Sequence, residues 1–332
     1  MAEKNAALSS ANRRGANGNE KELTAMAAEE IKTIQVIGFP MDLGADRRGV
    51  DLGPAAIRIA GLLETVAALG YRVEDAGDIA VRVKERSTRD NPHLKYLDDI
   101  VGSCEALAGR VENALSQGHF PMVIGGDHSM AIGTIAGVAT HCRKNGKTPG
   151  VIWIDAHADM NLETTTPSGN IHGMPMAVSL GLGAYPLTHI MGFAPKVAAQ
   201  NCALIGLRSV DRLEKQTVRD MSLALYTMAD IDRIGIQSVA NEVLDQLVGK
   251  ADHIHVSFDI DCVDPSVAMG VGTPVSGGLT YREAHLLMET FAERGCMASL
   301  EVAEVNPILD HNNRSAAFAV ELIASSFGLQ II

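Results

Sequence analysis

Two acidic segments of this chain each follow a run of apolar residues. Asp155-Ala156-His157-Ala158-Asp159 comes directly after residues 150–154, and Asp259-Ile260-Asp261 comes directly after residues 253–258. An apolar run of this length between turn signals is typical of a buried parallel strand. Carboxylates and an imidazole at the end of such a strand are costly to bury unless something pairs with them. The two segments therefore predict a divalent-metal site where neighbouring strands end.

The rest of the chain alternates short apolar runs with helix-like stretches. Helices are predicted from Pro54 to about Leu69 and over His93–Gln117, Ser129–Arg143, Thr280–Arg294 and Asn312–Phe327. Strands are predicted at Thr33–Gly38, Tyr71–Ile79, Phe120–Ile124, Val151–Ile154, Cys202–Leu207, Leu223–Met228, His253–Phe258 and Met297–Val305. Such alternation implies an α/β fold with a mostly parallel sheet covered by helices on both faces. No repeat or linker divides it, so residues 31–332 are predicted to form a single domain.

The composition excludes several classes of partner. The formal net charge is -12, which argues against nucleic acid, since a nucleic-acid partner favours a basic face. The apolar stretches are far shorter than a membrane span, so no membrane association is expected. The cysteines number five, an odd count without CxxC spacing, which favours a reducing compartment over a disulfide framework. A cytoplasmic location is therefore expected.

The first 30 residues differ in composition from the rest. They are rich in Ala, Asn, Glu and Ser and lack the apolar stretch of a secretory signal. We expect residues 1–30 to form a disordered N-terminal arm. A few basic residues, Lys4, Arg13 and Arg14, leave targeting to an organelle open.

Polar residues follow several of the predicted strands, as ligand sites do in parallel sheets. Gly125-Gly126-Asp127-His128 follows the strand at 120–124, Asp211 and Glu214 follow the strand at 202–207, and Glu304 lies at the end of the last strand. With the two acidic segments, five strands bring polar groups to one edge. Asp127 is either a ligand or a cap of the following helix.

The predicted ligands indicate which metal and which chemistry to expect. Carboxylates with some imidazole suit Mn²⁺, and no cysteine pair competes for Zn²⁺. On a strictly extended segment Asp155, His157 and Asp159 would face one side together. Six ligands with four carboxylates exceed the needs of one ion, so we expect two ions that share bridging carboxylates. A water between two such ions has a lowered pKa, which predicts hydrolysis by a metal-held hydroxide. The candidate ligands are His128, Asp155, His157, Asp159, Asp259 and Asp261.

The motifs at these positions resemble those of a known family. Residues 125–129, 155–161 and 257–265 are similar to the three signature blocks of the ureohydrolases. Ser168-Gly169-Asn170-Ile171-His172-Gly173-Met174-Pro175 resembles the arginase family in particular, as do residues 272–275 and 304–307. The resemblance runs from about residue 33 to residue 330. It implies a three-layer α/β/α sandwich with a mostly parallel sheet of about eight strands.

The resemblance also implies roles for individual residues. One manganese ion would be held by His128, Asp155, Asp159 and Asp259, and the other by Asp155, His157, Asp259 and Asp261, so that Asp155 and Asp259 bridge. Asp159 would also steady the hydroxide and pass a proton to the leaving amine. His172 resembles a proton-shuttle histidine, and Glu304 matches the carboxylate that faces the substrate guanidinium.

A further group of residues would choose the substrate. Asn161 and Ser168 match groups that hold the α-carboxylate of arginine, and Asn170 belongs to the same loop. Asp211 and Glu214 match groups near the α-amino end, and Thr273 is expected to contact the substrate too. Neutral donors for a carboxylate and acids for an ammonium are what a zwitterionic head group requires.

The activity implied is hydrolysis of L-arginine to L-ornithine and urea, with two Mn²⁺ per subunit, in a homotrimer or homohexamer. The alternatives are another ureohydrolase acting on agmatine or guanidinobutyrate, a zinc deacetylase-like hydrolase, and an inactive metal-binding relative. Two positions depart from the family pattern. Ser209 stands where many arginases have an aspartate, and Asp46 stands where a small residue is commoner in relatives.

Overall fold

The computed structural model describes residues 33–89 and 91–329 of this chain. Its centre is an eight-stranded sheet in the order β2-β1-β3-β8-β7-β4-β5-β6. Every neighbouring pair of strands is parallel. The strands are β1 Thr33–Phe39, β2 Arg72–Asp78, β3 Phe120–Gly125, β4 Pro149–Ile154, β5 Cys202–Leu207, β6 Ala224–Thr227, β7 His253–Asp259 and β8 Met297–Ala303.

Helices connect the strands and cover the sheet. The helices are α1 Gly53–Ile59, α2 Leu62–Ala68, α3 Leu97–Ser116, α4 Met130–Lys144, α5 Pro175–Ser179, α6 Tyr185–Thr188, α7 Glu214–Asp220, α8 Met228–Ile234, α9 Ile236–Leu247, α10 Tyr281–Arg294 and α11 Arg314–Ser326. Within the described ranges, none of them combines the length and the apolar character that crossing a membrane requires.

Alternate side chains of a buried strand pack on opposite faces of the sheet, as strand geometry requires. From β4, Ile152 and Ile154 pack with apolar residues of α1, α2, α8, α9, α10 and α11 on one face of the sheet. Val151 and Trp153 of the same strand point to the other face, where they pack with residues of α4, α5 and α7. The sheet is thus the middle layer of three, which confirms the fold class expected from the sequence.

All eight predicted strands are present, with ends shifted by at most a few residues. The strand predicted to end at Met228 ends earlier because the Thr227 side chain accepts a hydrogen bond from Asp230 N and caps α8. The single helix predicted from Pro54 to Leu69 is two helices, broken at Gly61, whose φ of 90° lies in the left-handed region. The predicted arm, residues 1–30, lies outside the described residues, so that prediction stays a prediction.

The sheet order decides where the polar residues meet. The strands that precede them, β3, β8, β7, β4 and β5, are consecutive neighbours in the sheet. Because all of these strands run in the same direction, their carboxyl ends lie at one edge. The five polar segments predicted from the sequence therefore converge on one place.

Candidate active site

His128 lies at the centre of a cluster of carboxylates. Its Nδ1 is 3.1 Å from Asp155 Oδ2, 3.3 Å from Asp159 Oδ2 and 3.1 Å from Asp259 Oδ2. Its Nε2 lies 2.8 Å from Ser257 Oγ, and its ring stacks on Trp153 at 4.0 Å between centroids. A histidine that uses Nε2 for a hydrogen bond presents the other nitrogen as a metal ligand. The ring is thus held with Nδ1 toward three acids.

A second group of donors adjoins the first and shares one of its acids. His157 Nδ1 lies 3.1 Å from Asp261 Oδ2 and 3.4 Å from Asp155 Oδ1. Asp155 therefore turns one oxygen to each histidine. Among the described residues, His128, Asp155 and Asp259 form one group that could hold a metal ion, and Asp155, His157 and Asp261 form another. This is the arrangement that two ions sharing a carboxylate require.

The backbone of residues 155–159 is not extended, contrary to the geometry assumed from the sequence. Strand β4 ends at Ile154, and Asp159 has a φ of 50° in the left-handed region. The carbonyl oxygen of Asp159 accepts hydrogen bonds from Met176 N and Ala177 N in the first turn of α5. These bonds from a distant segment hold the turn, and a strained φ of this kind is common at functional sites. Asp261 likewise lies in a 3₁₀ turn after β7.

Asp127 is not part of either group of donors. Its Oδ1 accepts a hydrogen bond from Ser129 N at 3.1 Å and its Oδ2 accepts one from Gly44 N at 2.8 Å. Both oxygens thus hold the turn that begins α4 and the loop at Gly44. Of the two interpretations left open by the sequence, the structure favours the one in which Asp127 stabilises the helix start.

The buried acids strongly perturb one another. Burial, and then the Asp155 carboxylate, raise the pKa of Asp159 to about 6. Burial, and then the nearby Asp261 and Asp155, raise the pKa of Asp259 well above its usual value. Burial opposes a charge on His128, but its three acidic neighbours outweigh this and raise its pKa well above the usual range. Without a metal ion, protons and the charged His128 ring are what offset the repulsion among these acids. A divalent cation would neutralise the same negative charge more completely.

The donor set therefore fits a pair of divalent cations. The side chains of Asp155, Asp259 and Asp261 are at most 3% exposed, so water cannot relieve the repulsion among them. His128 Nδ1 has no hydrogen bond of normal geometry among the described residues, although three carboxylate oxygens surround it. A ring nitrogen aimed into the space between acids is what metal coordination by His and Asp requires.

Glu304 and His172 form an ion pair beside this cluster. Glu304 Oε1 lies 2.9 Å from His172 Nδ1 and accepts a hydrogen bond from His128 N at 3.0 Å. Glu304 Oε2 is buried without a hydrogen-bond partner among the described residues. Burial opposes a charge on His172, but Glu304 outweighs it and raises the pKa of His172 to about 9. The pair therefore holds one carboxylate oxygen without a partner beside an imidazolium, and of the two residues only His172 lines the adjoining cavity.

The remaining predicted site residues line a cavity of about 210 Å³ next to the cluster. Asn161 Nδ2 donates to Asp211 Oδ2 at 2.9 Å, and Glu214 accepts hydrogen bonds from Met160 N and Asp211 N. Thr273 donates to Asp261 Oδ2 at 2.8 Å, so it also supports a candidate ligand. The predicted residues that line the cavity are His157, Asp159, Asn161, Ser168, Asn170, His172, Asp211, Glu214, Asp259 and Thr273.

Sequence reasoning missed two residues that support the site. Ser257 positions the His128 ring, and Trp153 stacks on it while donating from Nε1 to Asp155 Oδ2 at 3.0 Å. The available signal was their place on the two strands that end in the acidic segments. Alternation puts Trp153 and Ser257 two residues before Asp155 and Asp259, on the same side of neighbouring strands.

Comparisons with known proteins agree with this geometry. The profile of the Arginase family matches residues 32–328. Arginase of Bacillus caldovelox is 48% identical over 303 residues, which cover 91% of this chain and 100% of that protein. Its native structure superposes with a TM-score of 0.87. The arginase of Entamoeba histolytica, solved in complex with L-ornithine, is 29% identical and superposes with a TM-score of 0.82, covering 90% of this chain and 99% of that one.

These matches extend over most of the chain and include all the segments that build the cluster. This chain belongs to the arginase family.

Proposed function

We propose that this protein hydrolyses L-arginine to L-ornithine and urea with two manganese ions per subunit. The observation that carries the proposal is the pair of adjoining donor groups that share Asp155, next to a cavity lined by both amides and acids. Relatives that are about half identical to this chain are arginases. The arginase of Entamoeba histolytica binds L-ornithine in its solved structure, which supports a product of that kind here.

Manganese fits the donor set better than zinc does. Four carboxylates and two imidazoles are ligands of the kind that Mn²⁺ accepts, whereas zinc sites are commonly richer in cysteine and histidine. His128, Asp155, Asp159 and Asp259 would hold one ion, and Asp155, His157, Asp259 and Asp261 would hold the other. When bound, the two ions supply a nucleophile from water near neutral pH.

The reacting end of the substrate would lie against Glu304. Its partnerless Oε2 is a suitable acceptor for a guanidinium N–H, since a charge-assisted hydrogen bond is stronger than a neutral one. Burial works against ionisation of Glu304, yet His172 outweighs it and lowers the pKa of Glu304 below its usual value. Asp159 would hand a proton to the leaving amine, and His172 would exchange protons with the solvent.

The head group of the substrate would lie at the far end of the cavity. Asn161 and Ser168 offer neutral donors for the α-carboxylate, and Asn170 lies in the same loop. Asp211 and Glu214 offer acids for the α-ammonium. Ser209, which stands where many arginases have an aspartate, lines the same cavity.

Urea release from purified protein tests the proposal directly. With added Mn²⁺ we expect turnover of L-arginine in large excess over agmatine and guanidinobutyrate, and close to two manganese ions per chain. Turnover mainly of agmatine would favour another ureohydrolase. About one zinc ion per chain and no urea would favour a deacetylase-like hydrolase. Metal binding without turnover of L-arginine, agmatine or guanidinobutyrate would favour an inactive relative.

Substitution of Asn161 by alanine tests which residues read the carboxylate. We expect Asn161→Ala to raise the KM for L-arginine roughly tenfold, because a hydrogen-bond donor to a charged group is lost. Agmatine has no carboxylate, so its kcat/KM should change little. Steady-state kinetics on both substrates measure the difference, with the surface variant Asn145→Ala as a control. Equal losses on the two substrates would contradict the assignment.

The stability of the metal-free protein should fall as the pH rises. Asp159, Asp259 and Asp261 have raised pKa values when folded, so the folded state holds more protons than the unfolded state from about pH 4 upward, and that contribution is lost as each acid ionises. The raised pKa of His128 acts in the same direction. The lowered pKa of Asp155 contributes a constant amount above its unfolded value.

Manganese should therefore stabilise the protein more at high pH, since the ions bind the deprotonated ligands. We expect the increase in Tm caused by Mn²⁺ to be larger at pH 8 than at pH 5.5. Calorimetry of protein stripped with a chelator, with and without Mn²⁺, measures it. An increase that is independent of pH would contradict the electrostatic account of the cluster.

The assembly of the protein is also a proposal, for a homotrimer or homohexamer. Sedimentation velocity would give the mass of the assembly.

A further inference from the structure

Lys95 is buried directly behind the loop that lines the head-group end of the cavity. The residue is only 3% exposed, although lysine is rarely buried without partners. Its Nζ donates to Asn170 Oδ1 at 2.7 Å and to Asp46 Oδ1 at 2.7 Å. Lys95 and Asn170 are 75 residues apart in the sequence. The contact therefore ties the start of α3 to the loop of residues 168–172.

The backbone in this region is fitted as closely as the side chains. Lys95 N donates to Gly169 O at 3.0 Å. Gly169 has a φ of 75°, and a Cβ there would meet Pro92 O at 1.8 Å, so no other residue fits without displacing the loop. The loop that carries Ser168 and Asn170 thus rests on residues 92–95 through both backbone and side-chain contacts. Lys95 is built into the support of the cavity.

The bonds of Lys95 decide how the Asn170 amide faces. Because Asn170 Oδ1 accepts from the ammonium, the amide group cannot flip without losing a charge-assisted hydrogen bond. An amide nitrogen carries two hydrogens, and the Asn170 amide also helps to lower the pKa of Asp46. Even with one hydrogen turned toward Asp46, a second remains for the cavity that Asn170 lines. The amide is therefore held as a donor.

The charges of the pair act unequally on the cavity. The Asp46 side chain is 64% exposed, whereas that of Lys95 is 4% exposed. Water screens the exposed carboxylate much more than the buried ammonium. Among the described residues that line the cavity there is no lysine or arginine, while Asp211 and Glu214 line it as well. Lys95 thus adds a positive charge behind Asn170 to the one that the His172 imidazolium brings to the cavity.

We propose that Lys95, held by Asp46, is a specificity-determining residue: it positions Asn170 and favours substrates that carry a carboxylate beside the ammonium. The inference rests on the proposed function and deepens it. It also accounts for Asp46, for which the sequence offered no role. A substrate with the same guanidinium but no carboxylate would gain nothing from Lys95. A loss that affects only L-arginine is therefore distinguishable from a general effect on folding, which would affect both substrates.

The test compares L-arginine with agmatine in the manganese-loaded enzyme. We expect Lys95→Met to raise the KM for L-arginine roughly ten- to a hundredfold, as the loss of charged hydrogen bonds implies, with kcat changed by less than about threefold. The kcat/KM for agmatine should stay within about threefold. Lys95→Gln keeps a donor but no charge and should be intermediate. It also serves as the second variant if Lys95→Met does not fold.

The control is Lys196→Met, since Lys196 is similarly buried, its Nζ bonds to Thr188 O, and it is not among the residues that line the cavity. This variant should leave the preference for L-arginine unchanged. Equal effects of Lys95→Met on both substrates, or a loss confined to kcat, would overturn the proposal. Urea release by the unchanged protein tests the proposed function separately. If it releases none, calorimetric binding of L-ornithine against putrescine gives the same comparison, and equal losses again overturn the inference.

Discussion

Replacement of Asp155 by asparagine is expected to lower kcat for L-arginine by about a thousandfold or more, the largest effect of any single substitution considered for this protein. Asp155 directs Oδ2 to His128 and Oδ1 to His157, so it belongs to both donor groups at once. Asparagine has a similar shape but no charge and only one acceptor oxygen. One of the two proposed ions would therefore lose the ligand that Asp155 provides, and the other would be bound more weakly by the uncharged oxygen.

Metal analysis distinguishes this explanation from simple unfolding. Asp155→Asn should retain the far-ultraviolet circular dichroism of the folded protein while its manganese content falls well below two per chain. Asp252→Asn is a suitable control, because Asp252 also accepts a main-chain hydrogen bond, from Thr148 N, but precedes β7 at the opposite edge of the sheet. A variant that kept two ions and full activity would refute the shared-ligand arrangement.

The strands of this fold could be predicted from the sequence because parallel strands buried on both faces are continuous apolar runs. Long helices with clear ends were also predictable. Thr280 and Glu283 form the capping box expected at the start of α10, and Gly295 follows its last residue. Short helices such as α5 were not predicted, because brief stretches carry too little periodicity. The 12-residue helix α9 was missed although its apolar residues recur at helical spacing and are buried.

The identity of the candidate ligands could be predicted, but not how the backbone presents them. Periodicity suggested an extended segment at Asp155–Asp159, whereas Asp159 has a left-handed conformation held by hydrogen bonds from α5. Glu304 is in the left-handed region as well, with a φ of 65°. Such conformations depend on contacts with distant segments, which local sequence patterns do not contain.

The proposed role of Lys95 in substrate specificity could not be predicted from the sequence either. In the sequence it is one lysine in a polar stretch, where an exposed side chain is the usual expectation. Only the fold brings it to Asn170 and Asp46, through the crossing of two loops that are distant in the chain. Residues that act by positioning others have no motif of their own, so the structure is needed to find them.

Glu304 is the second residue whose replacement should have a large effect on catalysis. We expect Glu304→Gln to lower kcat/KM for L-arginine roughly a hundred- to a thousandfold, the usual cost of removing a charge-assisted contact to the reacting group. In glutamine the position of the partnerless Oε2 is taken either by an NH2 group, which cannot accept, or by an uncharged oxygen, which is a weaker acceptor for the guanidinium. His172 would also lose its carboxylate partner, so the pKa of His172 should fall from about 9 toward its ordinary value.

The distinction from Asp155→Asn lies in the metal. Glu304 is outside both donor groups, so Glu304→Gln should keep two manganese ions per chain while it loses activity. Glu112→Gln, which removes a carboxylate of α3 that is ion-paired with Lys144, is the matched control and should be fully active. Because protonated His172 depends on Glu304, the alkaline limb of the pH–rate profile should also shift to lower pH in the variant. A variant with intact activity, or one that lost its metal together with its activity, would show that Glu304 supports the metal site instead of facing the substrate.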